Sequence, residues 1–369
     1  MSGPARQTGP PSTRWLLYGA YGYTGRLIVE RAIDLGLRPI VAGRDGARTQ
    51  ALAEEHGLEW AAFELDQPGA LSAALRDVGL VFNAAGPFSA TWRPVLEACL
   101  AARCHYLDIT GEIGVLEAMQ ERADEVRNAG VHVVPAVGFD VVPTDCAAAL
   151  AAEMVDEATE LVLALSVSGG ASRGTTRTTL ERLGQGGAVR RNGRIVPVAI
   201  GSEHRTIAFT DRPRRGTAIP WGDVSTAYRS TGIPNITVYA TLPPGLTWLG
   251  RGVGLLLRAE PLRRLAERAV DQLVTGPGSK ELASGHARVR AEVRNDRGDS
   301  AAVEIVTPNA YALTATAAVA AVQRVLGRDV GPTPGVHTPS AAFGADFVLG
   351  LPGVERVTDD RGDDDGAGT

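Results

Sequence analysis

The chain has 369 residues, enough for two domains or for one large one with ample core. Hydrophobic residues make up 44% and charged residues 21%, which is ordinary for a globular cytoplasmic protein. The net charge of −5 argues against a general nucleic-acid binder, which would carry a basic face.

Residues 1–13 are rich in Gly, Pro, Ser and Thr and lack the apolar core of a signal peptide, so they read as a disordered leader. From residue 14 to 142 short apolar runs alternate with helix-period segments. Strands are predicted at Trp15–Ala20, Pro39–Ala42, Trp60–Leu65, Gly79–Ala85, His105–Ile109 and Val131–Val137. Helices are predicted between them at Tyr23–Leu35, Arg48–His56, Ala70–Leu75, Arg93–Ala102 and Val115–Asn128. Strand and helix alternating at this interval predict an α/β fold, a Rossmann-type doubly wound parallel sheet. The three cysteines, Cys99, Cys104 and Cys146, imply no disulfide framework, and no histidines complete a metal set around them, so no metal is expected.

After Pro143 the texture changes, and residues 143–309 predict a second, α+β domain with a mostly antiparallel sheet. It opens with a helix at Thr144–Met154 and a strand at Glu160–Ser168, followed by a helix near Thr176–Leu183. Further strands are predicted at Arg194–Val198, Arg205–Phe209 and Ile236–Thr241. Ala287–Val293 and Ala301–Thr307 alternate in period two around Asn295-Asp296-Arg297-Gly298, a hairpin signal. The apolar stretch Leu246–Leu257 is interrupted by Arg251 and too short to span a bilayer. It reads either as an amphipathic core helix or as a surface that meets lipid or a greasy substrate. A last helix, Tyr311–Val325, belongs to a C-terminal segment, 310–356, expected to return to the first domain. The acidic, Gly-rich residues 357–369 read as a disordered tail.

The chemistry concentrates at the carboxyl ends of the first strands. The turn after the first strand reads Gly19-Ala20-Tyr21-Gly22-Tyr23-Thr24-Gly25, with glycines at every third position before a helix. Small residues let a backbone approach a pyrophosphate, and helix N-terminal amides favour its charge. At the end of the second strand, Ala42-Gly43-Arg44-Asp45 offers a cation where NAD-selective sites carry a carboxylate. Arg44 suits the 2′-phosphate of NADP, whereas Asp45 takes the acidic role if Arg44 points away. Asp66 is a candidate partner of the adenine amine, or else a helix cap before Pro68. Asn83, Ala84, Ala85, Gly86 and Pro87 close the fourth strand, either as room for the nicotinamide ribose or as a plain turn.

These stretches resemble the saccharopine dehydrogenase-like oxidoreductases, a resemblance carried by Tyr18–Gly25, Asn83–Phe88, His105–Glu112 and Val137–Asp145. It extends through Ile219–Thr226 and Ala342–Phe347 and is closest to a bacterial branch that includes trans-acting enoyl reductases. The resemblance implies an NADP-dependent reductase whose substrate domain is inserted before the final helices. It does not imply saccharopine as substrate, because fold transfers better than chemistry.

A reductase of this kind takes its hydride from the cofactor and needs a proton source from the protein. Candidate acids are Tyr106, Asp108 and Glu112 after the fifth strand and Asp140 after the sixth, each with a structural alternative as a cap or ion-pair partner. Arg173 and Thr175 lead a predicted helix and suit a substrate carboxylate or the cofactor's phosphates, or else form a plain helix N-terminus. Trp221, Asp223 and Tyr228 combine an aromatic wall with polar groups, as a substrate pocket or as core packing. The leading expectation is NADPH-dependent reduction of a polarised C=C bond in a small-molecule or lipid-like substrate. An imine or saccharopine-type reaction is the alternative within the enzyme class, and a non-catalytic NADP-binding sensor or lipid-surface adaptor the alternative outside it. A homodimer and a peripheral membrane contact are further partner expectations.

Overall fold

The computed structural model describes residues 12–168, 187–199, 201–241, 278–331 and 333–357. Arg173, Thr175, the helix near Thr176–Leu183, the segment Leu246–Leu257, the acidic tail and most of the leader lie outside the described residues.

The first sheet is built from β1 (Trp15–Tyr18), β2 (Ile40–Gly43), β3 (Trp60–Ala62), β4 (Leu80–Asn83), β5 (His105–Asp108) and β6 (His132–Val134). Every pairing is parallel, in the order β6-β5-β4-β1-β2-β3, and a late strand, β15 (Gly335–Val336), extends the sheet beyond β6. β1 and β4 are buried throughout, as strands covered on both faces must be. The connecting helices are α1 (Tyr23–Asp34), α2 (Gly46–His56), α3 (Pro68–Ala74), α4 (Phe88–Ala102), α5 (Ile113–Glu121) and α6 (Ala123–Ala129). Strand order reverses between β1 and β4, which opens the crevice where ligands of such sheets bind.

Two departures from the predicted pattern have local causes. The helix expected over Val115–Asn128 is broken at Arg122, whose guanidinium is held by Glu125 and Glu97. The sixth strand stops at Val134 because Ala136 takes a left-handed φ of 62° and donates its amide to the Asp108 carboxylate at 2.8 Å.

The second sheet contains β7 (Glu160–Val167), β8 (Gly187–Arg191), β9 (Arg194–Val198), β10 (His204–Ala208), β11 (Pro213–Ala218), β12 (Asn235–Ala240), β13 (His286–Arg294), β14 (Ser300–Pro308) and β16 (Glu355–Val357). Its main path is β10-β11-β12-β7-β13-β14-β16, with the β8–β9 hairpin attached at β12. Only β7 and β12 run parallel among the described pairs. Leu161, Leu163, Leu165, Val289, Ala291 and Val293 belong to the large buried core that α7 (Val142–Ala152) shares with both sheets.

The last long helix, α10 (Ala310–Leu326), packs on α1, where the Tyr23 and Tyr311 rings meet edge to face at 5.1 Å. Shorter helices are α8 (Asp223–Thr231), α9 (Ser279–Ser284) and α11 (Pro339–Phe343). No helix among the described residues is long and apolar enough to cross a membrane. No His, Cys, Asp or Glu group among them is arranged to hold a metal ion.

Candidate functional site

The three glycines of the first turn serve three different needs. Gly19 has φ +83°, and a Cβ there would lie 2.8 Å from the Ala85 amide nitrogen, so this glycine lets β1 and the end of β4 approach. Gly25 sits where a Cβ would collide with the carbonyl oxygens of Gly19 and Ala20, so it seats α1 against the turn. Gly22, by contrast, has an extended backbone open to any residue, and its Cβ would meet only the Gly19 oxygen at 3.1 Å. The fold barely requires a glycine at Gly22.

The first turn of α1 carries no acid of its own, and Gly22 is its N-cap with no side-chain cap. Tyr23 and Thr24 are half-buried there, and burial beside Tyr311 pushes the Tyr23 hydroxyl up to about 12. An anion fits a helix terminus left in this state.

At the end of β2, Arg44 is exposed, while Asp45 is the N-cap of α2 and accepts the Arg48 amide at 3.1 Å. The acidic alternative for this turn is therefore committed to the helix. Tyr21 lies against Gly43, where a Cβ would collide with its ring, and the Arg48 guanidinium stands 4.4 Å from the ring centroid. Asp66 is exposed beyond β3 and does not cap α3, whose N-cap is Gln67.

The end of β4 is fixed by a buried hydrogen-bond chain. Asn83 Oδ1 accepts the Ala85 amide at 3.1 Å, and Asn83 Nδ2 donates to Thr91 Oγ1 at 3.1 Å and to the Tyr106 hydroxyl at 3.4 Å. Tyr106 in turn donates to Asp108 at 2.7 Å, and Asp108 accepts the Thr110 and Ala136 amides at 2.9 and 2.8 Å. Both Tyr106 and Asp108 are 0% exposed, and burial pushes the Asp108 carboxyl up to about 6. They set the strand ends relative to one another and touch no open surface. Ala84 and Ala85 remain partly accessible, Gly86 and Pro87 are exposed, and the peptide between the last two is cis.

Glu112 accepts the amides of Phe88 and Ser89 at 2.8 and 2.9 Å, one on each carboxylate oxygen. It thus closes the N-terminus of α4 from 24 residues away. Of the candidate acids, Tyr106 and Asp108 are thus buried and hydrogen-bonded to each other, and Glu112 is bonded to the start of α4. Asp140, the fourth candidate, is half-buried in the turn between β6 and α7.

The second domain reaches this edge through the residues before α8. A Cβ on Gly222 would approach Val141 Cγ2 at 3.0 Å, Leu116 Cδ1 at 3.3 Å and the Gly111 oxygen at 3.4 Å, so this segment lies against the first domain. Trp221, beside it, is half-buried and packs on the core. Asp223 and Tyr228 are both engaged by neighbouring side chains. Asp223 is 0% exposed, accepts Thr144 Oγ1 at 2.8 Å, and burial beside Asp145 drives its carboxyl well above the usual range. Tyr228 carries the Arg190 guanidinium 4.2 Å above its ring. Arg190 also reaches the Val224 and Gly193 carbonyls at 2.7 Å and Glu117 of α5 at 3.4 Å, tying the two domains together. Neither Arg48 nor this interdomain clamp is singled out by sequence reasoning, because Arg48 in a first helical turn reads as a solvated face and the partners of Arg190 in β8 are distant in the chain.

Residues 15–134 match the saccharopine dehydrogenase NADP-binding domain family. A relative in Mycobacterium tuberculosis, named as a trans-acting enoyl reductase, is 32% identical over 182 residues, which are 46% of this chain and 43% of the relative. A mitochondrial saccharopine dehydrogenase-like oxidoreductase of Arabidopsis thaliana is 31% identical over 153 residues, 35% of this chain and 32% of that protein. The matched stretches thus span less than half of either relative. Among solved structures, saccharopine dehydrogenase (L-Glu forming) from Saccharomyces cerevisiae shares the fold with a TM-score of 0.61 and 13% identity, covering 94% of this chain and 100% of that one. Residues 15–134 are therefore an NADP-binding domain of the saccharopine dehydrogenase type.

Proposed function

We propose that this chain is a cytoplasmic NADPH-dependent reductase acting on a polarised C=C bond of a small or lipid-like substrate. The observation that supports the reading is the N-terminus of α1, with a glycine N-cap, no side-chain cap and no acid in its first turn, set at the point of strand reversal. Bound NADPH supplies the hydride, and the protein's share is placement and electrostatics. The α1 amides hold the pyrophosphate, Arg44 takes the 2′-phosphate, and Asp66 lies beyond β3 toward the adenine side. Asn83 fixes Ala84 and Ala85 as a low floor beside the nicotinamide ribose. Trp221 walls the substrate and excludes water, and Asp140 holds the proton delivered to the product. The enoyl choice follows the name of the mycobacterial relative, and the cytoplasm suits three free, buried cysteines.

The test is NADPH consumption by the full chain with 2-enoyl thioesters of increasing length, beside a mixture of amino acids and 2-oxo acids. Turnover with the thioesters, lowered in Asp140→Asn with NADPH binding kept, is the expected result. Turnover with the amino acid mixture alone points to the imine reaction. Binding without turnover on either points to an adaptor.

A further inference from the structure

We infer that Arg48, seated on the ring of Tyr21, is a second cation for the 2′-phosphate of NADP, so that an arginine pair recognises the phosphate. The inference rests on the NADP-binding reading and adds to it residues that determine specificity.

Arg44 and Arg48 lie four residues apart on either side of the α2 N-cap, and both are exposed. Among the described residues neither forms an ion pair with a carboxylate, although Arg14, Arg26 and Arg122 nearby in the same domain all do. The nearest acid in the sequence, Asp45, is bound to the backbone amide of Arg48 itself. One residue therefore contributes two things to this turn: its amide engages the carboxylate that would repel a phosphate, and its side chain adds positive charge.

Tyr21 explains why that side chain is held. Its ring lies against Gly43 at the end of β2, in space that any Cβ there would occupy. The Arg48 guanidinium is 4.4 Å from the centroid of the same ring. Stacking uses the flat face of a guanidinium and leaves its N–H donors at the rim, pointing outward in the plane where a phosphate oxygen can accept them. Lysine offers neither the plane nor the fork. The ligand this arrangement fits is a ribose 2′-phosphate, a dianionic monoester presented close to the end of β2.

The probes are 2′,5′-ADP and 5′-AMP, titrated calorimetrically into the full chain. The unsubstituted protein is expected to prefer 2′,5′-ADP. Arg48→Gln should weaken 2′,5′-ADP about tenfold and leave 5′-AMP unchanged, the loss of one charge-assisted contact. Arg48→Lys should fall between the two, Tyr21→Leu should weaken 2′,5′-ADP, and Tyr21→Phe should keep the preference. An undiminished preference in folded Arg48→Gln overturns the inference while the NADP reading stands. Equal weakening of both probes also overturns it, since that marks a structural role. No preference in the unsubstituted protein overturns the NADP reading itself.

Discussion

Helices α1 and α4 both begin at the carboxyl edge of the parallel sheet, yet their first turns are finished in opposite ways. Both amides at the start of α4 are taken by Glu112, whose two oxygens lie 2.8 and 2.9 Å from the Phe88 and Ser89 nitrogens. At the start of α1 there is a glycine with no side-chain cap and no acid in the first turn. Each helix carries the same partial positive charge at this end. The difference lies in who supplies the anion: for α4 it is the chain, and for α1 the proposal assigns it to the cofactor. A helix terminus capped by the chain's own carboxylate is closed to a ligand anion, whereas one at a point of strand reversal without an acid in its first turn suits one.

The contrast is broken most severely at the glycines. Gly25→Ala should destabilise the fold by more than about 3 kcal/mol, because its Cβ collides with backbone that cannot yield. Gly22→Val should instead leave thermal unfolding nearly unchanged while lowering NADPH affinity by about a hundredfold or more, since the branched side chain fills the approach to the α1 amides. Calorimetric titration and thermal melts of both variants check the pair. NADPH binding kept by Gly22→Val would remove α1 from the site.

Glu112→Ala is the converse test. Loss of two charge-assisted bonds at the α4 terminus should cost about 1.5–3 kcal/mol of stability, with NADPH affinity little altered. Urea unfolding measures the first and titration the second. A collapse of turnover with unchanged stability would return Glu112 to the catalytic candidates.

Asp108 gives a pH signature for the buried chain between the strand ends. Its folded carboxyl is raised to about 6 from 3.8, so the neutral form is the one favoured by folding. Its stabilising contribution is complete below the unfolded value and lost as pH rises through the folded one. Relative to Asp108→Asn, the protein should lose on the order of 3 kcal/mol of stability between pH 4 and 6 and show no further relative change above that. Urea unfolding across this range measures the difference. A flat difference would place Asp108 in contact with water.

Much of this was legible in the sequence, for identifiable reasons. The Gly19–Gly25 turn shows itself because strand, glycines and helix are consecutive, and the Asn295–Gly298 hairpin because two alternating strands flank a turn. The hairpin between β8 and β9 was missed although Asn192 and Gly193 both take the positive φ of a tight turn. Its second strand is predicted, but the first, Gly187–Arg191, ends in two arginines and gives no alternating apolar signal. The roles of Glu112, Tyr106 and Asp108 depend on partners brought together by strand order, and spacing along the chain cannot show them. The bond of Asp223 to Thr144 depends on α7 meeting α8, which its aromatic neighbours in the sequence do not show. Arg48 was hidden because what matters is the ring it stacks on.

The account stands or falls on cofactor choice at the end of β2. Titrating NADPH and NADH into the unsubstituted protein and into Arg44→Ala tests it directly. The expected result is an NADPH preference of about tenfold or more in the former, mostly erased in the latter, with NADH affinity little changed. Equal affinities for the two cofactors in the unsubstituted protein, or a preference untouched by Arg44→Ala, would contradict it.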